Sequence, residues 1–125
     1  MRILLDTHIY LWWEENNRNL SKKAKSLIES AVEVYVSSAS ICEIAIKTTI
    51  GKFDIDIELL VKALSQSDFI ELPITVKHAA TLRQLPLIHK DPFDRILLAQ
   101  AMSEPLKLLT ADKTLARYTD LVDVV

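Results

Sequence analysis

The stretch Arg2-Ile3-Leu4-Leu5-Asp6-Thr7 determines the predicted fold, because it joins a short apolar strand directly to the start of a helix. Residues 2–5 read as a buried strand that ends at Asp6. Either Asp6 or Thr7 can cap a helix over residues 7–14, since both side chains accept hydrogen bonds from the first free backbone N–H groups. A strand that leads straight into a helix is the repeating unit of an α/β domain.

The same alternation continues along the chain. Further strands are predicted at residues 34–37, 69–72, 106–109 and 121–125. Further helices are predicted at 22–32, from Ser38 or Ser40 to Gly51, at 57–67, at 75–83, from Asp91-Pro92 onward, and at 112–118. This order predicts a mainly parallel central sheet covered by helices on both faces. We find no linker, low-complexity tract or repeat, so residues 1–125 are expected to form a single domain.

Composition excludes several classes of protein. The chain has 125 residues and half of them are apolar, which is enough to bury a continuous core. A single glycine, Gly51, excludes a glycine-rich phosphate-binding loop. The net charge of -2 provides no overall basic field. A lone cysteine, Cys42, is expected in the core and cannot form an internal disulfide, which suits the cytoplasm. No apolar run is long enough for a membrane span.

Four acidic residues stand where an apolar segment meets a turn or a helix start: Asp6, Glu43, Asp94 and Asp112. All four are expected near the carboxyl ends of the strands, where α/β sheets form their sites. Two carboxylates about 4 Å apart repel by roughly 4 kcal/mol at an effective dielectric near 20, so such a cluster needs shared protons or a divalent cation. Oxygen ligands without a His/Cys set favour Mg²⁺ or Mn²⁺, ions that commonly serve phosphate chemistry.

Each acid also has an ordinary structural explanation. Asp6 and Asp112 can cap helices, Glu43 can pair with Lys47 one turn later, and Asp94 can interact with its helix dipole. Asp91 is explained better as a helix cap before Pro92 than as a metal ligand. His89 and Lys90 precede it in a loop that can face the site. The histidine is expected to be exposed, with contact to substrate as the less favoured alternative. For Trp12 and Trp13, packing in the core or an interface is favoured over base stacking.

With these residues identified, the sequence resembles the PIN-domain family, particularly the VapC-like toxins of bacterial toxin–antitoxin pairs. The resemblance covers essentially the whole chain. Its most specific block is His89–Ala101, and the others are Ile3–His8, Ser40–Ile44 and Leu108–Asp112. It implies a three-layer α/β/α sandwich that acts as a metal-dependent ribonuclease. The family's catalytic and metal-binding acids would fall on Asp6, Glu43, Asp94 and Asp112.

The resemblance implies a cofactor and partners as well. The expected cofactor is Mg²⁺, with Mn²⁺ able to substitute, and the expected substrate is RNA of unidentified sequence. The expected partners are a small antitoxin, whose C-terminal segment would cross the groove, and a second copy of the chain. Many relatives carry a further acid shortly after the fourth one, whereas Lys113 and Thr114 follow Asp112 here. The number of metal ions, one or two, therefore stays open.

Two other functions remain as alternatives. One is a catalytically idle PIN-like module that binds RNA or protein. The other is a phosphatase-like hydrolase with Asp6 as nucleophile, which ranks low because the usual pattern needs a second Asp where His8 stands.

Overall fold

The computed structural model describes residues 1–125 and places all five strands in one sheet, in the order β3-β2-β1-β4-β5. Every neighbouring pair is parallel. The strands are β1 (Arg2–Leu5), β2 (Glu33–Ser37), β3 (Ile70–Leu72), β4 (Lys107–Thr110) and β5 (Val122–Val124). The predicted mainly parallel sheet is therefore confirmed, and the first strand of the chain is the central one.

The helices follow the predicted alternation. They are α1 (Thr7–Glu14), α2 (Lys22–Ser30), α3 (Ser38–Thr49), α4 (Ile57–Gln66), α5 (Val76–Thr81) and α6 (Pro92–Ser103). Two short 3₁₀ helices, Leu82–Gln84 and Lys113–Arg117, replace the end of one predicted helix and the whole of another. Gly51 has a φ of +83° just past the end of α3, which confirms its predicted role as a stop signal. None of these helices is long and apolar enough to cross a membrane.

The hydrogen-bonded caps explain where the helices begin. Asp6 caps α1, since its side chain accepts from the backbone N–H of His8. α3 begins at Ser38, one of its two predicted starts, and is capped by Ser37, the last residue of β2. β2 thus passes into α3 without an intervening loop, and Asp6 alone separates β1 from α1.

The core has two parts, one on each face of the sheet. Ile3 and Leu5 of β1 pack into a cluster with residues of α1, α2 and α4, whereas Leu4 packs into a second cluster with residues of α6. Because successive side chains of a strand point to opposite faces, this division means that β1 is buried on both sides. Helices therefore cover both faces, as the predicted three-layer sandwich requires.

The helical spacing of apolar residues predicts that Val32 and Val61 are buried, and Cys42 is expected in the core, but all three predictions are wrong. Val32 is 78% exposed because α2 ends at Ser30 and Val32 lies beyond its inner face. Val61 is 48% exposed, since the inner stripe of α4 consists of Leu60 and Leu64, one turn apart. Cys42 is exposed because it lies off the buried face of α3, which consists of Ala39, Ser40, Glu43 and Ile44.

Candidate metal centre

A pocket of about 350 Å³ collects the four acids that the sequence singles out. It lies outside the carboxyl ends of β1 and β4, where the sheet order reverses direction and α/β folds place their ligands. The pocket is lined by Asp6, His8, Trp12, Glu43, Lys47, Asp91, Asp94, Ala111 and Asp112. The structure thus brings together acids separated by as many as 106 positions in the chain (from 6 to 112). Their roles as metal ligands and catalytic residues stay a prediction.

Asp6 is held rigidly at the end of β1. One carboxylate oxygen accepts the N–H of His8 at 3.1 Å, and the other accepts the hydroxyl of Thr110 at 2.5 Å. The same Thr110 oxygen accepts the N–H of Asp112 at 3.0 Å, so the ends of β1 and β4 are linked through one buried hydroxyl. Burial raises the pKa of Asp6, although the Thr110 hydrogen bond acts in the opposite direction.

Glu43 is only 3% exposed and lies in the second turn of α3. Its Oε2 is 2.6 Å from the Nζ of Lys47, so the pair predicted at one-turn spacing exists, but it lines the pocket instead of the outer surface. The hydrogen bond that Lys47 donates to Glu43 raises the pKa of Lys47. The second carboxylate oxygen, Oε1, is buried without a hydrogen-bond partner, a costly arrangement that a bound cation would relieve.

Asp94 lies in the first turn of α6, and the pKa of its carboxyl group is strongly raised. Its pKa is raised to about 7, first by burial and then by the negative charges of Asp6 and Asp91, with a smaller effect from Glu43. His89 acts against this shift. Burial and the negative charges of Asp6 and Asp91 therefore make it costly for all the acids of the pocket to be ionised near neutral pH.

Asp91 caps α6 as predicted. Its Oδ1 accepts the N–H groups of Phe93 at 2.8 Å and Asp94 at 3.3 Å, and Pro92 takes the first helical position. This cap fixes the position of Asp94 through the backbone. Asp91 also lines the pocket, so its charge contributes to the field there.

His89 is a member of the cluster that the sequence analysis missed. Its Nε2 lies 3.1 Å from Oδ2 of Asp112 and 3.3 Å from Oδ2 of Asp94. The expectation of an exposed loop histidine was wrong because the loop is held down: the Tyr118 hydroxyl accepts the N–H of His89 at 2.7 Å. The only sequence signal was its position two residues before the cap Asp91, and this spacing does not specify where the ring points. Lys90, by contrast, is exposed.

Asp112 completes the arrangement from the end of β4. Its Oδ1 accepts the N–H of Thr114 at 2.9 Å, which caps the following 3₁₀ helix as predicted. Partial burial acts to raise the pKa of Asp112, but the hydrogen bonds from Thr114 and His89 outweigh it and lower that pKa. Asp112 is therefore more easily ionised than Asp94.

The donor atoms fit a hard divalent cation. Single ligand atoms from His89, Asp94 and Asp112 lie within 4.8 Å of one another, and the unpartnered oxygen of Glu43 is buried in the same pocket. Carboxylate oxygens predominate, which is the ligand set that Mg²⁺ and Mn²⁺ prefer. The one nitrogen candidate, His89, distinguishes this cluster from the oxygen-only set predicted from the sequence.

The two tryptophans mainly serve packing. Both are partly buried against the cluster that includes Ile3 and Leu5, and the ring of Trp13 lies 5.8 Å from that of Phe69. The predicted packing role is confirmed. Trp12 also lines the acidic pocket, with its ring 6.0 Å from that of His8.

Known proteins resemble this chain over nearly its whole length. The family model of the PIN domain matches residues 3–121. Ribonuclease VapC22 of Mycobacterium tuberculosis is 31% identical over 118 residues, which cover 93% of this chain and 91% of the relative.

Solved structures show the same fold. VapBC2 from Rickettsia felis, bound to a DNA fragment from its promoter, matches with a TM-score of 0.75 at 16% identity, over 100% of this chain and 99% of that one. A toxin–antitoxin complex from Klebsiella pneumoniae matches with a TM-score of 0.70 at 22% identity, over 98% and 96% of the two chains. The predicted α/β/α sandwich is thereby confirmed.

Proposed function

The chain belongs to the PIN domain family, and from this premise we propose that it is a metal-dependent endoribonuclease that acts as the toxin of a toxin–antitoxin pair. The observation that carries the proposal is the convergence of Asp6, Glu43, Asp94 and Asp112 in one pocket. The relative from M. tuberculosis, which is named a ribonuclease, supports the RNA substrate. An RNA phosphodiester is also the type of bond that such a carboxylate site can hydrolyse with a divalent cation.

The proposed cofactor is Mg²⁺, with Mn²⁺ able to replace it, held by carboxylate oxygens of the four acids. The chemistry that such an ion supplies is polarisation of a phosphoryl oxygen and a lower pKa for the attacking water. Asp6, Glu43 and Asp94 are buried or half-buried and are proposed as direct ligands. Asp112 is proposed to complete the site either as a direct ligand or through a bridging water molecule.

The residues of the chain orient these ligands before any substrate arrives. Thr110 and the backbone of His8 fix both oxygens of Asp6, and Lys47 fixes one oxygen of Glu43. Such supporting contacts typically change metal affinity or activity by tenfold or more when they are removed.

The charge balance of the pocket makes RNA binding dependent on the cation. Five carboxylates line it, whereas Lys47 is its only lysine or arginine. Uncompensated carboxylates repel a phosphodiester, so a divalent ion is needed to admit the substrate as well as to activate it. The half-buried ammonium of Lys47 is the one cation of the chain placed to approach a phosphate there.

The proposed protein partners are a small antitoxin and a second copy of the chain. Support for the antitoxin comes from two solved structures of this fold. One is a toxin–antitoxin complex, and the other is VapBC2 bound to a DNA fragment from its promoter. The chain also exposes apolar side chains on the adjacent helices α3 and α4, Ile46 and Leu59, and at Ile50, directly after α3. Large apolar side chains exposed in this way suit a protein partner.

The test is cleavage of end-labelled RNA by purified protein, compared with Asp6→Asn and Asp94→Asn. We expect cleavage in Mg²⁺ that leaves 5′-phosphate and 3′-hydroxyl ends, a loss of at least about 100-fold in each variant, and none in excess EDTA. Asp120→Asn is the matched control, because Asp120 is exposed and precedes the parallel strand β5, so it lies near the amino ends of the strands and away from the pocket. Undiminished cleavage by Asp94→Asn, or in EDTA, would contradict the proposal.

The idle binding module gives a different result in the same assay. It predicts that the wild-type protein binds Mn²⁺ in calorimetry and yet leaves a broad panel of RNAs intact. Its phosphatase-like rival predicts a phosphoaspartate on Asp6, detectable by mass spectrometry after trapping.

A further inference from the structure

We propose that His89 is a positioning residue that holds Asp112 against Asp94 by donating hydrogen bonds to both carboxylates. The inference rests on the proposed function, since the two acids it joins belong to the proposed metal site. It assigns a role to a residue outside the four acids, and it explains how an acid beyond β4 is joined to an acid on α6.

The hydrogen bonds around the ring fix its proton. Nδ1 of His89 accepts the backbone N–H of Asp91 at 3.0 Å and therefore carries no proton. The ring proton must then lie on Nε2, which is 3.1 Å from Oδ2 of Asp112 and 3.3 Å from Oδ2 of Asp94. One N–H group is consequently shared between two carboxylates.

Asp112 needs such a restraint more than the other acids do. Its side chain is 39% exposed, whereas that of Asp94 is 16% exposed. Repulsion from Asp94 favours rotation of the Asp112 carboxylate into solvent, where water can stabilise it. The shared N–H of His89 offsets this repulsion and keeps Oδ2 of Asp112 and Oδ2 of Asp94 on the pocket side.

The loop that carries His89 is built to hold the ring in place. The Tyr118 hydroxyl accepts the N–H groups of Ile88 and His89, at 3.1 and 2.7 Å. Arg95, one residue after Asp94, donates to the carbonyl oxygens of Leu85 and Pro86 at 3.1 and 2.9 Å. The loop is thereby tied to α6 and to the 3₁₀ helix after β4, the two elements that carry the acids.

Direct coordination of a metal by His89 fits the geometry less well. A ligand nitrogen must be unprotonated, so Nε2 would have to lose its proton to Nδ1. Nδ1 would then face the N–H of Asp91 with a proton of its own, and the hydrogen bond at 3.0 Å would be lost. The observed contacts therefore favour donation by Nε2 over ligation.

Two substitutions distinguish the role of Nδ1, which accepts a hydrogen bond, from the role of Nε2, which donates one. In His89→Asn the side-chain oxygen can still accept the Asp91 N–H, but no donor reaches the acids. In His89→Gln the terminal amide extends about as far as Nε2 and can donate to both carboxylates. Leu87→Ala is the control for disturbance of the loop, because Leu87 is 84% exposed.

The first measurement is Mn²⁺ binding by calorimetry, which does not depend on catalysis. We expect His89→Asn to raise the Kd for Mn²⁺ by about tenfold or more, and His89→Gln and Leu87→Ala to stay within about threefold of wild type. At saturating Mn²⁺, His89→Asn should lower kcat for RNA cleavage by about 10- to 100-fold and change KM by less than about threefold.

The inference is overturned if His89→Asn matches wild type in Mn²⁺ affinity, or if His89→Gln is impaired as strongly as His89→Asn. Loss in His89→Gln alone would also overturn it, because it would assign the function to the acceptor nitrogen. Asp94→Asn separates this failure from that of the proposed function: if it binds Mn²⁺ and cleaves RNA like wild type, the metal-site proposal fails whatever His89 does.

Discussion

At the scale of single residues, capping and membership of the acidic cluster are compatible roles. Asp6 and Asp112 each cap a helix with one carboxylate oxygen, while the other oxygen accepts from the Thr110 hydroxyl in Asp6 and faces the His89 ring in Asp112. An ionised carboxylate has about four acceptor positions, so one capping bond leaves capacity for a further partner. The ordinary structural explanations of these residues are therefore correct without weakening the functional one.

Asp94 predicts how the stability of the metal-free protein depends on pH. Its pKa is about 7 in the folded chain against an ordinary value of 3.8, so folding favours its protonated form. The resulting stabilisation is complete below the unfolded value and is lost as the pH rises through about 7. In EDTA, Tm should therefore fall between about pH 5 and about pH 8, and Asp6 shifts stability in the same direction.

The comparison with Asp94→Asn isolates this residue, because asparagine does not titrate. The variant should show a clearly smaller fall in Tm over the same range, measured by differential scanning calorimetry. Added Mg²⁺ should stabilise the wild-type protein more at the higher pH, where the ligand is already deprotonated. Equal slopes for the two proteins in EDTA would rule out the raised pKa of Asp94.

At the scale of secondary structure, α6 connects the cap, the acid and the loop. Asp91 fixes the first turn, Asp94 lies within that turn, and the partial positive charge of the helix N-terminus stabilises both carboxylates when they are ionised. The position of Asp94 thus depends on the start of a helix rather than on a flexible loop. The capping role of Asp91 can therefore be tested separately from its negative charge.

Asp91→Ala should lower the free energy of unfolding by about 1 kcal/mol, within the usual range of about 0.5–2 kcal/mol for a lost cap. Asp91→Asn should cost much less, since asparagine caps helices about as well as aspartate. Both variants remove the same charge, so the difference between them measures the cap alone. Urea unfolding followed by circular dichroism is the appropriate measurement, and equal losses in the two variants would show that the cap does not stabilise α6.

At the scale of the whole molecule, sequence patterns predicted the elements and the acids but not every contact. β1 could be predicted because its apolar run ends at an acid that also starts a helix. Which strand is central could not, since strand order depends on crossovers rather than on local pattern. The exposure of Val61 and Cys42 was missed because a helix face is fixed by what packs against it.

The ring of His89 shows the same limit within the site. Its position depends on Tyr118, which is 29 residues away in the chain. The hydroxyl of Tyr118 can accept the N–H of His89 only after the fold has formed. By contrast, the convergence of Asp6 and Asp112 follows from simple topology, because both residues end neighbouring parallel strands. Acids at strand ends are thus predictable as a group, whereas the residues that orient them are not.

The central claim is that Asp6, Glu43, Asp94 and Asp112 surround one divalent-cation site. The most direct measurement is anomalous diffraction from crystals of the wild-type protein soaked in Mn²⁺. We expect a strong Mn²⁺ peak inside this pocket, in contact with carboxylate oxygens of Asp6, Glu43 and Asp94, and no such peak in Asp94→Asn crystals soaked in the same way. A pocket without a peak in the wild-type protein, or a Mn²⁺ ion bound only elsewhere on the molecule, would contradict the account.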